Sequence, residues 1–386
     1  MVRALSCGRA LLLGGMVLPA LLAQESAITR EGRYWVKSIQ GSGSIAQPRM
    51  QIKTNGDVTI AGASKSGYNY TLKLRVRAAT EKQARTLLAA TRVAAAAHGD
   101  IFVLSAPVSD SASELRVEVP RSVKEVAIAT AGGGVDLSDL NGLLRAETGG
   151  GGVRCDRIAG SLTVATAGGG ISLGSIEGMV QCVTAGGGIS ANTIRGEAVF
   201  ETGGGDIVVQ EVTGLVRAST GGGGIKIARA GSAVIASTAG GPIQVERAAG
   251  QVTVKSSAGP IQVNSANNVQ CESAGGGIQL RNISGSLRAS TAMGNISAVL
   301  LANHPFTDSF LTTGSGDITV FIPSNLGVTI RAENESADSL RRIISDFPGL
   351  AVKLLGNAVV AEGPVNGGGA TLRIRGNGGT IYIKKQ

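Results

Sequence analysis

Apolar residues recur at a fixed interval through the middle of this chain. One aliphatic residue, here called the anchor, follows each cluster of glycines, and successive anchors are 18 residues apart seven times before the steps become 17, 18 and 22. The anchors are Val135, Val153, Ile171, Ile189, Ile207, Ile225, Ile243, Ile261, Ile278, Ile296 and Ile318. A period of this length indicates a repeat architecture in which each structural unit stacks on the next.

Further apolar positions keep the same phase. They stand two and five residues after each anchor and nine and seven residues before it, as Leu173, Ile176, Leu162 and Val164 do around Ile171. Side chains of a β-strand point alternately to its two faces, so each repeat predicts two short strands with apolar residues on one side. Stacked units would bury a continuous core, and the pattern predicts an all-β parallel β-solenoid (β-helix) of about 11–12 coils with 18 residues per coil.

Glycine and hydroxyl residues occupy the other fixed positions of the repeat. Glycines precede the anchor and recur seven residues after it, where tight corners need backbone conformations that other residues rarely adopt. A threonine or serine stands five residues before each anchor, from Thr130 to Thr313. This position has the parity of the apolar columns, so we expect the hydroxyls to point inward and to form hydrogen bonds along the stack, rather than to form an outward ice-binding face.

Residues 24–125 precede the regular repeat, and we expect them to form a strand and helix region that caps its open edge. An Asn-Gly pair predicts a hairpin over residues 52–60, and a capping box predicts a helix from Thr80 to His98. Further strands are predicted at residues 70–76, 101–104 and 115–119.

The regular repeat covers residues 126–320, and residues 321–386 predict irregular β coils and a cap at the other end. In this last segment the sequence predicts a short helix over residues 336–344 and loop or irregular coil over residues 347–370. Strands are predicted at residues 328–330, 372–374 and 381–383.

The first 23 residues have the composition of a secretory signal peptide. Arg3 and Arg9 supply a positive start, and the apolar stretch from Ala10 to Ala23 is too short to span a bilayer. Cleavage after Ala23 would release an exported chain to the periplasm, the cell surface or the extracellular space. An uncleaved membrane anchor is the alternative, and no later segment looks transmembrane.

The order of these features resembles a known family. The chain combines a signal peptide, the Asn-Gly-Asp-Val of residues 55–58, a helix, the Val-Glu-Val-Pro of residues 117–120, and glycine-rich repeats that end in the Thr-Gly-Ser-Gly-Asp-Ile of residues 313–318. Over roughly residues 50–386 it is similar to the bacterial putative adhesin β-solenoid family, a domain family of unknown function. The resemblance implies a right-handed solenoid and an envelope-associated or surface role, and it supplies no catalytic residue.

The charge balance favours anionic partners in a general way. The chain has 36 Lys and Arg against 27 Asp and Glu, a formal net charge of +9. Aromatic residues make up 3% of the chain and no basic run is interleaved with them, so nucleic acid is not predicted as a partner. We expect an anionic envelope polymer or glycan, or another envelope protein, as the partner. The oligomeric state stays open.

Residues that carry chemistry in enzymes are sparse and separated. The only histidines, His98 and His304, have no nucleophile and carboxylate arranged around them in the sequence. Asp206 and Asp317, which directly precede anchors, lie six coils apart and cannot supply the roughly six to eight oxygens that calcium requires. The sequence therefore predicts no catalytic residue, no cofactor and no metal.

Three cysteines remain after the signal segment: Cys155, Cys182 and Cys271. Their spacing matches no zinc pattern. Cys182 and Cys271 share an inward column but lie five coils apart, too far for a disulfide. We expect all three to behave as small buried hydrophobic residues.

One column of charged residues is the candidate binding surface. It stands four residues after the anchor, and adjacent coils would bring Glu211 near Arg229 and Arg247 as a surface charge ladder. We predict an exported, non-enzymatic, adhesin-like or scaffold protein of the bacterial cell envelope that binds through an extended polar face. Two alternatives remain: a polysaccharide-acting β-helix enzyme, and a structural envelope-stress protein without a specific ligand.

Overall fold

A computed structural model describes residues 24–89, 91–107, 112–302, 304–335 and 342–386. The predicted signal peptide, residues 1–23, lies outside these residues. The described chain is all-β apart from one α-helix, α1 (Glu81–Ala89), and its strands stack in a long, mainly parallel arrangement. The predicted all-β, solenoid-like class is thereby confirmed.

The strands are short and follow one another closely. Before the regular repeat lie β1 (Gln24–Glu25), β2 (Thr29–Glu31), β3 (Tyr34–Ser44), β4 (Arg49–Thr54), β5 (Asp57–Ala63), β6 (Gly67–Val76), β7 (Ala94–His98), β8 (Ile101–Ala106) and β9 (Ala112–Pro120). The regular repeat comprises β10 (Glu125–Thr130), β11 (Val135–Ser138), β12 (Leu143–Thr148), β13 (Val153–Asp156), β14 (Leu162–Thr166), β15 (Ile171–Ile176), β16 (Val180–Thr184), β17 (Ile189–Ile194), β18 (Ala198–Thr202), β19 (Ile207–Val212), β20 (Val216–Thr220), β21 (Ile225–Ala230), β22 (Val234–Thr238), β23 (Ile243–Val245), β24 (Val252–Ser256), β25 (Ile261–Val263), β26 (Ala266–Ser273), β27 (Ile278–Thr291), β28 (Ile296–Leu300), β29 (Ser309–Thr313) and β30 (Ile318–Ile322). The last segment contains β31 (Val328–Asn334), β32 (Ile343–Ser345), β33 (Ala351–Leu355), β34 (Ala358–Val365), β35 (Thr371–Gly376) and β36 (Ile381–Lys385).

Strands of the regular repeat fall into two parallel ladders. Ladder A holds the even-numbered strands from β10 to β26, the second half of β27, and β29. Ladder B holds the odd-numbered strands from β11 to β25, the first half of β27, and then β28 and β30. Ile189 lies opposite Ile207, 18 residues on, and the step lengthens to 22 between Ile296 and Ile318.

A narrow aliphatic core fills the space between the ladders. Ile189 and Ile207 are 1% and 0% exposed, as the predicted inward phase requires. Phe200 is the one aromatic ring of the regular ladders that is completely buried, and its neighbours in the same column are the smaller Cys182 and Ala218. Pairing a large side chain with small ones above and below keeps the core filled without forcing the coils apart.

The hairpin predicted over residues 52–60 is wrong. β4 is parallel to β8 and β10, and β5 is parallel to β9 and β11, so the two strands are successive sides of one coil. Met50 lies opposite Val126, and Val58 lies opposite Val135, in phase with the repeat. The Asn-Gly pair marks a solenoid corner because the apolar residues of both strands face a common interior.

At the N-terminal end the spatial order of coils departs from the order of the chain. β8 and β9 form the outer coil, β4 and β5 lie inside it, and β10 and β11 follow. Antiparallel β6, β3, β2 and β1 extend from β9, and β7 pairs with β8. The rings of Tyr68 and Tyr70 lie over Gly43 and Gly41 of β3, where an added Cβ would approach within 2.8 Å and 2.6 Å of them.

The helix predicted from Thr80 to His98 is too long. It ends at Ala89, and its predicted second half contains the strand β7. The start is confirmed, because Thr80 Oγ1 accepts a hydrogen bond from the backbone N–H of Gln83 at 3.3 Å. Alanines favour helix, but pairing with the open edge of β8 decides their conformation here. The strands predicted at residues 70–76, 101–104 and 115–119 are confirmed as parts of β6, β8 and β9.

The C-terminal end shows the same exchange of order. β35 and β36 lie between the coil of β29 and β30 and the coil of β31 and β32, although they come last in the chain. The loop predicted over residues 347–370 is wrong, since β33 and β34 form an antiparallel pair that continues ladder A from β31. Of the helix predicted over residues 336–344, residues 336–341 lie outside the described residues, and β32 occupies its end.

Candidate functional site

The inward threonine column joins consecutive coils at one corner. The Thr148 hydroxyl donates to the carbonyl oxygen of Gly133 at 2.7 Å and accepts from the backbone N–H of Gly151 at 3.2 Å. The same pair of bonds recurs at Thr130, Thr166, Thr184, Thr202, Thr220, Thr238 and Thr291. The predicted inward hydroxyl column is confirmed. Since these hydroxyls are buried and satisfied by the backbone, the column holds the fold rather than a ligand.

Acidic and amide residues directly before the anchor cap the backbone of the next coil. Asp206 Oδ1 accepts from the N–H of Gly224 at 2.7 Å, and Asp317 Oδ1 accepts from Thr380 at 2.8 Å. Asn295 Oδ1 does the same for the N–H of Asp317 at 2.8 Å. These side chains therefore have a structural task. Within the described residues, no group of three or more His, Cys, Asp or Glu is placed to hold a metal ion.

The histidines and cysteines lie apart from one another. His98 is the last residue of β7, His304 precedes β29, and both are exposed. Cys155, Cys182 and Cys271 are buried free thiols, as predicted. Burial raises the pKa of Cys155 to about 12, so this thiol is protonated and a poor nucleophile at neutral pH.

The structure brings the first two members of the predicted charge ladder together. Glu211 and Arg229 are direct partners in β19 and β21, and Arg229 Nη1 lies 3.3 Å from Glu211 Oε1. Arg247 follows in the next coil and has no ion-pair partner among the described residues. Both partners of the pair are exposed, so it contributes at most about 1 kcal/mol. A binding role for the ladder stays a prediction.

A column of amides occupies the outer face of ladder B, one residue after the anchor. Gln244, Gln262 and Gln279 are direct partners in the neighbouring strands β23, β25 and β27. With Pro242 and Pro260 they line a cavity of about 350 Å³. We call these three glutamines the amide column. Sequence reasoning assigned such positions to solvent in general, and the recurrence of glutamine at one phase in three successive repeats is the signal that would have found it.

Neighbouring side chains hold the amide column in place. Gln262 Nε2 donates to Asn264 Oδ1 at 3.1 Å, and Asn264 Nδ2 donates to Glu246 Oε2 at 2.6 Å. Gln244 Nε2 donates to the other oxygen of Glu246. All four side chains are half-buried. This network uses the amide nitrogens of Gln244 and Gln262 and leaves their carbonyl oxygens as fixed acceptors.

A wider depression of about 730 Å³ lies at the corner that follows ladder A. Its walls are small residues such as Ser237, Ser257 and Ser290, with the ion pair of Lys255 and Glu272 at 2.8 Å. Hydrogen bonding from Lys255 and then Gln270 lowers the pKa of Glu272, so this carboxylate stays ionised at neutral pH. The two charges satisfy each other, and the depression offers less to a ligand than the amide column does.

No helix within the described part of the chain is long and apolar enough to cross a membrane.

Comparisons with known proteins support the family resemblance. A family model described as Toastrack DUF4097 matches residues 48–341. No curated protein matches the chain.

Two solved structures are similar over most of the chain. A putative adhesin from Bacteroides fragilis is 11% identical, with 90% of this chain and 97% of that chain covered and a TM-score of 0.28. A putative cell adhesion protein from Clostridium sporogenes is 8% identical, with 90% and 99% covered and a TM-score of 0.15. Scores this low leave the function of the chain to be argued from its own residues.

Proposed function

The chain belongs to the Toastrack DUF4097 family, and from its amide column we propose that it is an adhesin-like or scaffold protein that binds an extended glycan of the cell envelope. It acts by binding and has no enzymatic activity. Its place is the periplasm, the cell surface or the extracellular space, after removal of residues 1–23.

We further propose a right-handed solenoid of about 11–12 coils with 18 residues per coil. Residues 24–125 begin and cap the stack, residues 126–320 form its regular part, and residues 321–386 form the irregular coils and the second cap. The register of neighbouring strands, such as Ile189 opposite Ile207, supports the coil length.

The observation that carries the proposed function is the regular spacing of the amide column. Neighbouring coils are about 4.8 Å apart, so Gln244, Gln262 and Gln279 present the same group at successive steps along the rod. An extended polymer whose units repeat at a similar interval would meet one amide at each step. A side-chain amide both donates and accepts, which suits the hydroxyl groups of a sugar.

The rest of the cavity fits the same class of ligand. Pro242 and Pro260 line it beside the glutamines and offer apolar ring surface to the C–H groups of a sugar ring. Glu246 and Asn264 hold two of the three amides before any ligand arrives, so little side-chain entropy is lost on binding. A rigid row of acceptors and donors is the arrangement expected for recognising a linear polymer without cleaving it.

Binding of purified envelope polysaccharides tests the proposal. Wild type should bind a neutral or acidic envelope glycan, and Gln262→Ala should weaken that binding by about tenfold, because it removes a central amide worth one or two hydrogen bonds. Gln181→Ala is the matched control, since Gln181 is an exposed glutamine on the outer face of ladder A.

Equal affinity of wild type and Gln262→Ala, or the absence of binding to every envelope glycan, would overturn the proposal. Release of new reducing ends from a polysaccharide, lost in Glu211→Gln but kept in Gln181→Ala, would establish a polysaccharide-acting enzyme in its place.

A further inference from the structure

A row of arginines and one aromatic ring lies on the outer face of ladder A near the C-terminal end. Arg288 is opposite Phe310, Phe310 is opposite Arg373, Arg373 is opposite Arg331, and Arg331 is opposite Glu362. The five residues therefore stand side by side on consecutive strands β27, β29, β35, β31 and β34.

The charges of this row are unequally satisfied. Arg331 Nε lies 2.9 Å from Glu362 Oε1, and Arg375 in the adjacent row lies 3.3 Å from Glu333 Oε2. Arg373 stands between them and has no hydrogen-bond or ion-pair partner among the described residues. Like charges on directly opposite residues of neighbouring strands are destabilising. The fold nonetheless places the guanidinium-bearing Arg373 and Arg331 opposite one another.

A cavity lies over the same residues. Its volume is about 550 Å³, and its lining includes Phe310, Arg331, Arg373 and Arg375 together with the carboxylates of Glu333 and Glu362. Phe310 is half-buried, so part of its ring is open to this space. Both carboxylates are engaged by Arg375 and Arg331, which leaves the positive charge of Arg373 uncompensated beside the ring.

We propose that this cavity binds a carboxylated sugar unit of an acidic polysaccharide. The carboxylate of the sugar pairs with the Arg373 guanidinium, whose planar fork matches two carboxylate oxygens. The C–H face of the sugar ring packs on Phe310. The anion also relieves the repulsion between Arg373 and Arg331.

The inference extends the proposed function, on which it rests for the ligand class, to a second face of the rod. The amide column is on ladder B and this cavity is on ladder A, so substitutions in one leave the contacts of the other unchanged. Failure of either site can therefore be told from failure of the other.

Calorimetric titration of the full chain with polygalacturonate tests the site. Arg373→Gln should lower the affinity by about tenfold or more, because a charge-assisted hydrogen bond is worth about 1.5–3 kcal/mol. Arg217→Gln is the matched control: Arg217 is an exposed arginine at the same position of ladder A, several coils away, without an aromatic neighbour in its row. It should change the affinity by less than about twofold, the effect of one distant screened charge.

A second substitution separates an acidic sugar from an anion alone. Phe310→Ala should weaken binding of polygalacturonate and leave binding of inorganic polyphosphate unchanged. Unfolding midpoints of all variants, measured in parallel, identify any variant whose loss of binding reflects loss of fold.

Three results would overturn the proposal. These are no binding of polygalacturonate by folded wild type, equal losses in Arg373→Gln and Arg217→Gln, and no effect of Phe310→Ala on polygalacturonate. Gln262→Ala should bind polygalacturonate at this cavity as wild type does, even where its binding through the amide column is lost.

Discussion

Thr202 and Gly187 belong to consecutive coils and are joined by a 2.7 Å hydrogen bond from the threonine hydroxyl to the glycine carbonyl oxygen. The same hydroxyl accepts from the backbone N–H of Gly205 at 3.2 Å. A glycine-rich corner has no side chains of its own to satisfy its backbone. The inward hydroxyl does so, and it is buried in every coil where the arrangement occurs.

Replacing Thr202 by valine should lower the free energy of unfolding by about 1–3 kcal/mol, because two backbone groups of the corner lose their partner without gaining water. Thr202→Ser should retain most of the stability. Urea unfolding followed by circular dichroism measures the difference. Thr213→Val, at an exposed position, is the control and should stay within about 0.5 kcal/mol of wild type. Equal effects at the two positions would contradict the role of the hydroxyl.

Two adjacent corner glycines should respond in opposite ways to alanine. A Cβ at Gly169 would lie 2.0 Å from the carbonyl oxygen of Gly151, whereas a Cβ at Gly168 would have no atom nearer than the carbonyl oxygen of Gly150 at 3.8 Å. Gly169→Ala should therefore cost about 1–3 kcal/mol as the coils move apart. Gly168→Ala should be neutral or stabilising by up to about 1 kcal/mol. Thermal unfolding of the two variants checks this, and similar melting temperatures would show that the coils can separate without strain.

Asp206 should be replaceable by asparagine but not by alanine. Its Oδ1 accepts from the N–H of Gly224, and Asn295 performs the same task with an amide oxygen. Asp206→Asn should match wild type, while Asp206→Ala should lose roughly 0.5–1.5 kcal/mol. Adding calcium should leave the melting temperature of wild type unchanged, since a bound ion would raise it. A calcium-dependent rise abolished in Asp206→Asn would show that the carboxylate is a ligand.

Stability should fall as the pH rises above the ordinary thiol range. Burial raises the pKa of Cys155 to about 12, against about 8.5 in an unfolded chain. The folded state therefore holds the proton more tightly, and this contribution is complete below about pH 8.5 and is lost progressively as the pH rises toward 12. Unfolding between pH 8 and pH 10 should show a negative slope of up to about 1.4 kcal/mol per pH unit for this thiol.

Cys155→Ala is the control for the thiol, compared by the slope of stability against pH rather than by absolute stability, because the substitution also leaves a small cavity. Burial also raises the pKa of Cys182 and Cys271, so the slope should become shallower without disappearing. An unchanged slope in Cys155→Ala would mean that this thiol is solvated in the folded state.

The amino-acid sequence by itself determined the repeating part of this protein. The partner of Ile189 in the next coil is the same position of the next repeat, Ile207, so one period specifies every pairing in the regular ladders. The parity of strands then places Thr202 inside, and the charge of Glu211 beside that of Arg229. Each of these relationships joins equivalent positions of adjacent repeats, which is why a pattern along the chain was sufficient.

Only the tertiary structure decided the ends of the stack and the surfaces built there. Whether an Asn-Gly pair closes a hairpin or a solenoid corner, and whether alanines 94–97 join a helix or an edge strand, depends on which backbone edges are open nearby. Phe310 meets Arg373 because β35 enters between strands that precede it in the chain. No local pattern encodes a pairing between residues so far apart, since hydrogen bonding at an open edge is satisfied by whichever strand reaches it.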